Sequence, residues 1–323
     1  MRFAIIGCGG IGAKRAAAAQ GHEIAVVCDP DVERREALAR RTGARAVADW
    51  RDALVLPVDG VVIATPHDRL AAIALAAIES GRPVLIEKPA GRRAQEARAV
   101  AEAARGRGVV AKVGFNHRFH PALMRAKSLV DAGAIGPLMF IRGRYGHGGR
   151  IGYEKEWRFI PEVSGGGELI DQGSHLVDLA RWFLGDLSLA YGAAPTYFWP
   201  GAVEDNCFLA LTSPTGRMAW LHASWTEWKN QFSFEIMGRD GKLTIDGLGG
   251  SYGVERLTHH HMLPQMGPPE TTSWEFPFPD RSFADEFANF VDAIEGRAEP
   301  IGDIHDAVAN LEIVEAVYQR AKP

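Results

Sequence analysis

The chain has 323 residues, of which 46% are hydrophobic and 24% charged, and its net charge at pH 7 is -4. The length suits two domains, and the composition is that of a globular protein. The lack of a basic footprint argues against nucleic-acid binding, and no apolar run approaches the roughly 20 residues that cross a bilayer. Three cysteines do not make a disulfide framework, and the first predicted strand leaves no room for a signal peptide. We therefore expect a cytoplasmic protein without membrane or nucleic-acid partners.

The first third of the chain alternates strand and helix patterns. Short apolar runs predict parallel strands, covered on both faces, at residues 3–6, 24–27, 60–64, 84–86 and 109–113. Alanine-rich segments predict helices near residues 13–20, 32–42, 67–79 and 94–105. Repeated strand–helix–strand units build a doubly wound parallel sheet, so we predict an α/β Rossmann domain over residues 1–117.

The pattern changes after residue 117. The elements predicted next are a helix at 121–132, a strand at 138–145, the helix that carries Asp171 and His175, and strands at 187–198, 207–212, 218–225, 231–237 and 242–245. We predict a long loop over 247–280 and two helices at 281–295 and 303–321. Residues 118–323 are therefore expected to form an α+β substrate-binding and oligomerisation domain with a large open, mostly antiparallel sheet. The last helix is expected to pack back towards the first domain.

The loop Gly7-Cys8-Gly9-Gly10-Ile11-Gly12 matches G-x-G-x-x-G between a predicted strand and a predicted helix. The first glycine of such a loop permits a tight turn, the second lets the backbone approach a pyrophosphate, and the third lets the helix pack on the strand. Asp29 ends the second strand, where a carboxylate binds ribose hydroxyls and repels a 2′-phosphate, which favours NAD over NADP. Arg34 or Arg35 is the alternative host for that phosphate.

Two further polar segments follow predicted parallel strands. Thr65-Pro66-His67 lies at the carboxyl end of the fourth strand, where ligands bind in open α/β sheets. His67 is either a nicotinamide or substrate contact or the first residue of a helix. Glu87-Lys88-Pro89 ends the fifth strand, and its ammonium is suited to hydrogen-bond a reacting oxygen. The alternative for Lys88 is a salt bridge to Glu87.

Asp171 and His175 are four residues apart on a predicted helix, so both are expected on one face, which Asp178 shares. A histidine beside a carboxylate can act as a general base; the alternative is the polar face of an ordinary amphipathic helix. The preceding glycines, Gly165–Gly167, are predicted to let substrate and cofactor approach closely. The consecutive histidines His259–His261 point in different directions and suit zinc poorly, so no metal is expected.

These motifs resemble the glucose-fructose oxidoreductase/inositol dehydrogenase/MocA family over essentially the whole chain. The residues that carry the resemblance are Gly7–Gly12, Thr65-Pro66, Glu87-Lys88-Pro89, Asn116-His117-Arg118-Phe119 and Asp171-x-x-x-His175. The resemblance implies a Rossmann domain, an α+β domain, and NAD(P)-dependent hydride transfer to or from a secondary alcohol or ketone of a sugar, polyol or nucleotide sugar. It implies that Lys88 polarises the reacting oxygen, that His175 is the general acid/base, and that Asp171 supports the proton relay.

The resemblance also places Trp157-Arg158 near nicotinamide and substrate. The predicted cofactor contacts are Gly7, Gly9, Gly10, Ile11, Gly12, Asp29, Thr65, Pro66, His67, Glu87, Lys88, Trp157 and Arg158. The predicted substrate contacts are Lys88, Arg118, Tyr145, Arg158, Asp171 and His175. The chain departs from the family after Pro66, where His67 and Leu70 stand in place of the usual Asn and His.

Several alternatives stay open from the sequence. The chain is either a dehydrogenase, a lyase or glycosidase that oxidises its substrate transiently with a recycled cofactor, or a non-catalytic nucleotide-binding regulator. Four segments are rich in aromatic residues or histidine, and they either line a sugar pocket or form an intersubunit interface. They are Tyr145–Gly149, Tyr197–Trp199, Trp225–Trp228 and His259–His261. An open sheet must cover its outer face, so we expect a homodimer or homotetramer.

Overall fold

The computed structural model describes residues 1–277 and 279–320. The strands are β1 (Arg2–Ile6), β2 (Glu23–Cys28), β3 (Arg45–Val47), β4 (Gly60–Ile63), β5 (Val84–Glu87), β6 (Ala111–Gly114), β7 (Leu138–Gly146), β8 (Ser188–Ala193), β9 (Asn206–Thr212), β10 (Met218–Ser224), β11 (Gln231–Gly238), β12 (Gly241–Asp246), β13 (Glu255–His261) and β14 (Glu270–Phe276). The α-helices are α1 (Gly10–Ala18), α2 (Val32–Thr42), α3 (Trp50–Leu54), α4 (His67–Glu79), α5 (Ala94–Arg107), α6 (Pro121–Asp131), α7 (Pro161–Ser164), α8 (Ser174–Leu184), α9 (Ser282–Ile294) and α10 (Ile304–Arg320).

The first of two compact units comprises Met1–Asn116 and Phe283–Leu311. Its sheet has the order β3-β2-β1-β4-β5-β6, and every neighbouring pair is parallel. The central strands are buried on both faces because helices cover the sheet, as their continuous apolar runs predicted. The doubly wound sheet is thus confirmed. The short elements β3 and α3 were not predicted.

The second unit comprises His117–Ser282 and the chain from Glu312 onward. Its sheet has the order β14-β13-β12-β11-β7-β10-β9-β8, in which only the β7–β10 pair is parallel among the described strands. Burial alternates strictly along β11, so one face of the sheet is core and the other is open. The predicted α+β fold with a mostly antiparallel sheet is confirmed.

The predicted loop over 247–280 is wrong, because this segment contains β13 and β14. Both strands are rich in polar residues and β14 is largely exposed at the sheet edge, so the sequence shows little apolar alternation. They form by backbone pairing onto β12. In residues 1–277 and 279–320 no helix has the length and apolar character needed to span a bilayer, and no group of three or more His, Cys, Asp or Glu side chains could hold a metal.

Candidate active site

The glycine loop between β1 and α1 is shaped for a phosphate. Gly7 has φ +98°, and a Cβ there would lie 2.4 Å from the Ala64 carbonyl oxygen. A Cβ on Gly12 would lie 1.8 Å from the Gly7 oxygen, so helix and strand meet here without room for a side chain. Gly9, by contrast, faces open space, with no heavy atom within 4 Å of an added Cβ. This open cradle at the N-terminus of α1 fits a dinucleotide pyrophosphate.

Asp29 joins the end of β2 to the glycine loop. Its Oδ2 accepts the Cys8 N–H at 2.8 Å and its Oδ1 accepts the Asp31 N–H at 2.9 Å. A carboxylate has about four acceptor positions, so two remain for ribose hydroxyls. Arg35 donates to the Asp29 carbonyl at 3.3 Å, while Arg34 lies exposed beside Asp31. Asp29 is therefore an anion oriented by two backbone N–H groups at the end of β2.

The carboxyl ends of the central strands lie level with one another. Ile6 of β1 pairs with Ile63 of β4, which pairs in turn with Ile86 of β5. Because the strands are parallel, Thr65 and the half-buried Lys88 follow at the same edge as the glycine loop. The strand order reverses between β1 and β4, and this is the edge at which open α/β sheets bind ligands.

Two of the residues predicted to contact the cofactor at this edge, His67 and Glu87, also have a place in the packing of the first unit. His67 is the first residue of α4 and is buried. Glu87 Oε1 accepts a hydrogen bond from Arg15 Nε at 2.6 Å, and the other arm of the fully buried Arg15 pairs with Glu286. Nothing in the sequence pattern indicated this buried charge cluster, because Arg15 lies in α1, Glu87 in β5 and Glu286 in α9.

In the second unit, Asp171 occupies a π-helical turn, Leu169–Gly173, and His175 lies in the first turn of α8. The prediction of one regular helix is wrong here, because the wider π turn changes the angle between residues four apart. Arg158, from a 3₁₀ turn at Trp157–Phe159, donates from Nε to Asp171 Oδ2 at 3.0 Å. The Asp171 carboxylate raises the pKa of Arg158.

Two glycines of the run before this turn lie against other groups of the second unit. A Cβ on Gly166 would lie 2.0 Å from the Tyr318 hydroxyl, and one on Gly167 would lie 2.0 Å from the Glu204 carbonyl oxygen. The buried Glu204 carboxylate accepts the N–H groups of Gly167 and Leu169, both at 3.0 Å. Gly166 and Gly167 therefore leave room for protein groups of the same unit.

Arg118, predicted to contact substrate, forms a buried bidentate ion pair with Asp178. Its Nε donates to Oδ2 at 2.9 Å and its Nη2 donates to Oδ1 at 2.6 Å. Such paired, charge-assisted bonds are geometrically specific. Asp178 therefore accepts hydrogen bonds from Arg118 with both of its carboxylate oxygens.

The His175 ring is surrounded by other rings. His117 stacks on it with ring centroids 3.7 Å apart, and Tyr145 lies edge-on to His117 at 5.1 Å. Burial raises the pKa of the Tyr145 hydroxyl well above its usual range. That hydroxyl bonds to Tyr252, whose oxygen also accepts from Gln172 Nε2 at 3.0 Å. The sequence pointed to Tyr145 but not to His117, Gln172 or Tyr252.

Two of the aromatic residues proposed for a sugar pocket, Trp199 and Trp225, belong to a small core instead. Tyr153, Phe159, Trp199, Val203 and Trp225 form this buried cluster. Phe198 and Trp228 remain exposed and meet edge to face, with centroids 4.7 Å apart. Only this pair, among the predicted tryptophan and phenylalanine residues, offers ring faces to a ligand or a partner in the described structure.

Known proteins match both parts of the chain. Residues 1–115 match the family model described as "Oxidoreductase family, NAD-binding Rossmann fold", and residues 123–244 match that described as "GFO/IDH/MocA C-terminal domain". The chain is 34% identical to levoglucosan dehydrogenase of Pseudarthrobacter phenanthrenivorans over 250 residues, which span 68% of this chain and 64% of that protein. It is 32% identical to the rhizopine catabolism protein MocA of Rhizobium meliloti, over 98% of this chain and 94% of that protein. Among solved structures, levoglucosan dehydrogenase in complex with NADH and L-sorbose has a TM-score of 0.88 and 24% identity, over 99% of this chain and 97% of the other, which establishes a shared fold.

Proposed function

Since the chain belongs to the Gfo/Idh/MocA family of NAD-binding oxidoreductases, we propose that it moves a hydride between nicotinamide and a secondary alcohol or ketone of a sugar, polyol or nucleotide sugar. The observation that carries this proposal is the level edge of the parallel sheet. Lys88 follows β5 at the same edge as the open glycine cradle at Gly9 and the oriented carboxylate of Asp29, which supports the proposal.

NAD, when bound, supplies the acceptor or donor of the hydride, and the chain's own residues handle the proton. We propose that Lys88 donates a hydrogen bond to the reacting oxygen and lowers the cost of its developing negative charge. His175 takes the hydroxyl proton as an imidazole and returns it in the reverse direction. Asp171, held by Arg158, binds a neighbouring substrate hydroxyl and favours the transient imidazolium of His175 by its charge.

Steady-state assays with NAD and a panel of sugars and polyols test this function, with NADH absorbance as the readout. We expect Lys88→Ala and His175→Ala each to lower kcat by about 10²–10⁴ while the Kd for NAD stays nearly unchanged. His305→Ala is the matched control, because His305 is exposed on α10. Wild-type turnover in either site variant would refute the residue assignment. Release of product from a glycoside without net NADH formation would instead support the transient-oxidation lyase.

We also propose that a second copy of the chain covers the open face of the eight-stranded sheet, giving a homodimer or homotetramer. Met218 and Trp220 on β10 are exposed to 44% and 51%, which is unusual for large apolar side chains in a sheet. Beside them Arg142 pairs with Glu235 at 2.9 Å. A face that carries an apolar centre and both signs of charge suits a self-complementary two-fold interface.

A further inference from the structure

A close ring contact among the described residues of the second unit joins two histidines. The imidazoles of His117 and His175 are nearly parallel, with centroids 3.7 Å apart and planes at 22°. Both side chains are buried, at 5% and 6% exposure. Tyr145 lies edge-on to both rings, at 5.1 Å from His117 and 6.2 Å from His175. Close packing on several sides fixes the two rings face to face.

A separate contact holds the same two chain segments in register. Arg118 follows His117 directly, and Asp178 lies three residues after His175 on α8. The bidentate Arg118–Asp178 ion pair is almost fully buried. Because two parallel hydrogen bonds fix the orientation of the planar guanidinium on the carboxylate, this clamp sets residues 117–119 against α8 and thereby aligns the rings.

We propose that His117 is a positioning residue for the proposed reaction: it fixes the plane of the His175 ring and, as a second imidazole stacked on it, prevents the two rings from being protonated together. This inference rests on the proposed function. Two imidazolium rings stacked at this distance in a buried site would repel strongly. The pair therefore takes up one proton readily and the second only in much more acidic solution.

Other ionisable groups surround the pair and act on the first proton. They are Asp171 and Glu168 at the π turn, Arg118 and Asp178 in the clamp, Tyr145 on β7, Tyr252, and the ion pair of His120 with Glu255. The carboxylates favour a proton on the pair, and Arg118 opposes it. None of these groups removes the repulsion between the two rings, because a second positive charge would still lie directly against the first in the stack.

The consequence for catalysis is a shallow acidic limb in the pH profile. After the pair binds its first proton, that proton resides on His117 in some molecules and on His175 in the others. The molecules with the proton on His117 keep His175 neutral and able to accept the substrate proton. In His117→Phe the ring still stacks but cannot share the proton. We then expect kcat/KM to fall through a single steeper limb, whose midpoint lies about 1 pH unit higher.

The test combines this profile with histidine ring resonances measured by NMR in isotope-labelled, NAD-free protein between acidic and neutral pH. In the wild type we expect His117 and His175 to titrate together in two separated steps, and in His117→Phe we expect His175 to titrate in one step. His22→Phe is the control, because His22 contacts Phe3 and Phe287 in the other unit, at 5.6 and 5.8 Å. It should leave both the profile and the paired titration unchanged.

Independent one-step titrations in the wild type, or an unchanged acidic limb in His117→Phe, would overturn the proposal. The NMR titration of the wild type decides the question even where His117→Phe folds poorly. Coupled titration in a protein that oxidises no sugar or polyol would contradict the proposed function and leave the paired titration standing, so the two failures are distinguishable.

Discussion

Replacing Glu286 by leucine should strongly destabilise the first unit. Arg15 is fully buried on α1, with Glu87 on one side at 2.6 Å and Glu286 on the other. Glu286 is also fully buried, and burial raises the pKa of its carboxyl although Arg15 opposes the shift. Gly114 leaves the necessary space, because a Cβ there would lie 2.5 Å from Arg15 Nη2. The buried guanidinium therefore depends on its carboxylate partners to compensate its charge.

The size of the effect follows from this burial. Removing one partner of a buried ion pair leaves an uncompensated charge and costs about 3–5 kcal/mol. Glu87 stays beside Arg15, and its side chain is 14% exposed, so we expect a loss near the lower end, about 3 kcal/mol. For a domain of this size each kcal/mol lowers Tm by about 2–4 °C, which gives a decrease of about 6–12 °C.

Thermal unfolding of the NAD-free protein, followed by circular dichroism, measures this decrease. Glu23→Leu is the matched control: Glu23 pairs with Arg2 at 3.1 Å on the surface of the same unit, and an exposed pair is worth about 0–1 kcal/mol. The double variant Arg15→Met/Glu286→Leu should recover much of the lost Tm, because apolar replacement of a whole buried pair is often tolerated. A Tm loss for Glu286→Leu no larger than that for Glu23→Leu would refute the reasoning.

Three further predictions concern the cofactor, pH and assembly. Asp29→Ala should weaken binding of NAD more than of NADP, measured by calorimetric titration; equal losses would show that Asp29 does not select against the 2′-phosphate. Burial alone raises the pKa of Asp205, but Asn206 and three backbone N–H groups outweigh it, so the net pKa is lowered. The stability that this carboxylate contributes is present above its unfolded pKa of about 3.9 and is lost as pH falls through the lower folded value. The Tm of the wild type should therefore exceed that of Asp205→Asn fully at neutral pH and by less in acid. A difference in Tm that does not change with pH would contradict this. Trp220→Arg should dissociate the oligomer in sedimentation velocity, while Val55→Arg, at an exposed position of the other unit, should not; a wild-type monomer would contradict the proposed interface.

The fold of the first unit was predictable because its signals are local. Each strand is a short apolar run, and each helix between them is rich in good helix formers. Asp31 caps α2 by accepting the N–H groups of Glu33 and Arg34, and Gly43 ends that helix at φ +73°. Such start and stop residues lie within the segment they define, so no tertiary knowledge is needed.

The second unit was harder because its edge strands depend on partners. The residues of β13 and β14 are mostly polar, and only pairing onto β12 makes them extended. The same limit applies to the glycines before Asp171. The sequence shows three small residues, but only the fold reveals that Tyr318 and Glu204 occupy the space beside Gly166 and Gly167.

In the candidate site, too, some residues can be predicted from the sequence and others only from the fold. Lys88, Asp171 and His175 are candidates from the sequence alone because each is a reactive residue in a short, recognisable motif. The His117 stack was not, because it joins segments far apart in the chain and involves a side chain with many ordinary roles. The segment Asn116-His117-Arg118-Phe119 contained the signal, but its meaning depends on Asp178 across the unit.

The two residues that depart from the family pattern after Pro66 differ in whether their side chains can contact a ligand. Leu70 is fully buried in α4 and belongs to the core, so its side chain offers no group to a ligand. His67 begins the same helix, directly after Thr65 and Pro66 at the carboxyl edge of β4, where ligands bind in sheets of this kind. An imidazole there differs from an amide in shape and in the direction of its hydrogen-bonding nitrogens. Of the two positions, we therefore expect His67, and not Leu70, to bear on which ligand the chain accepts.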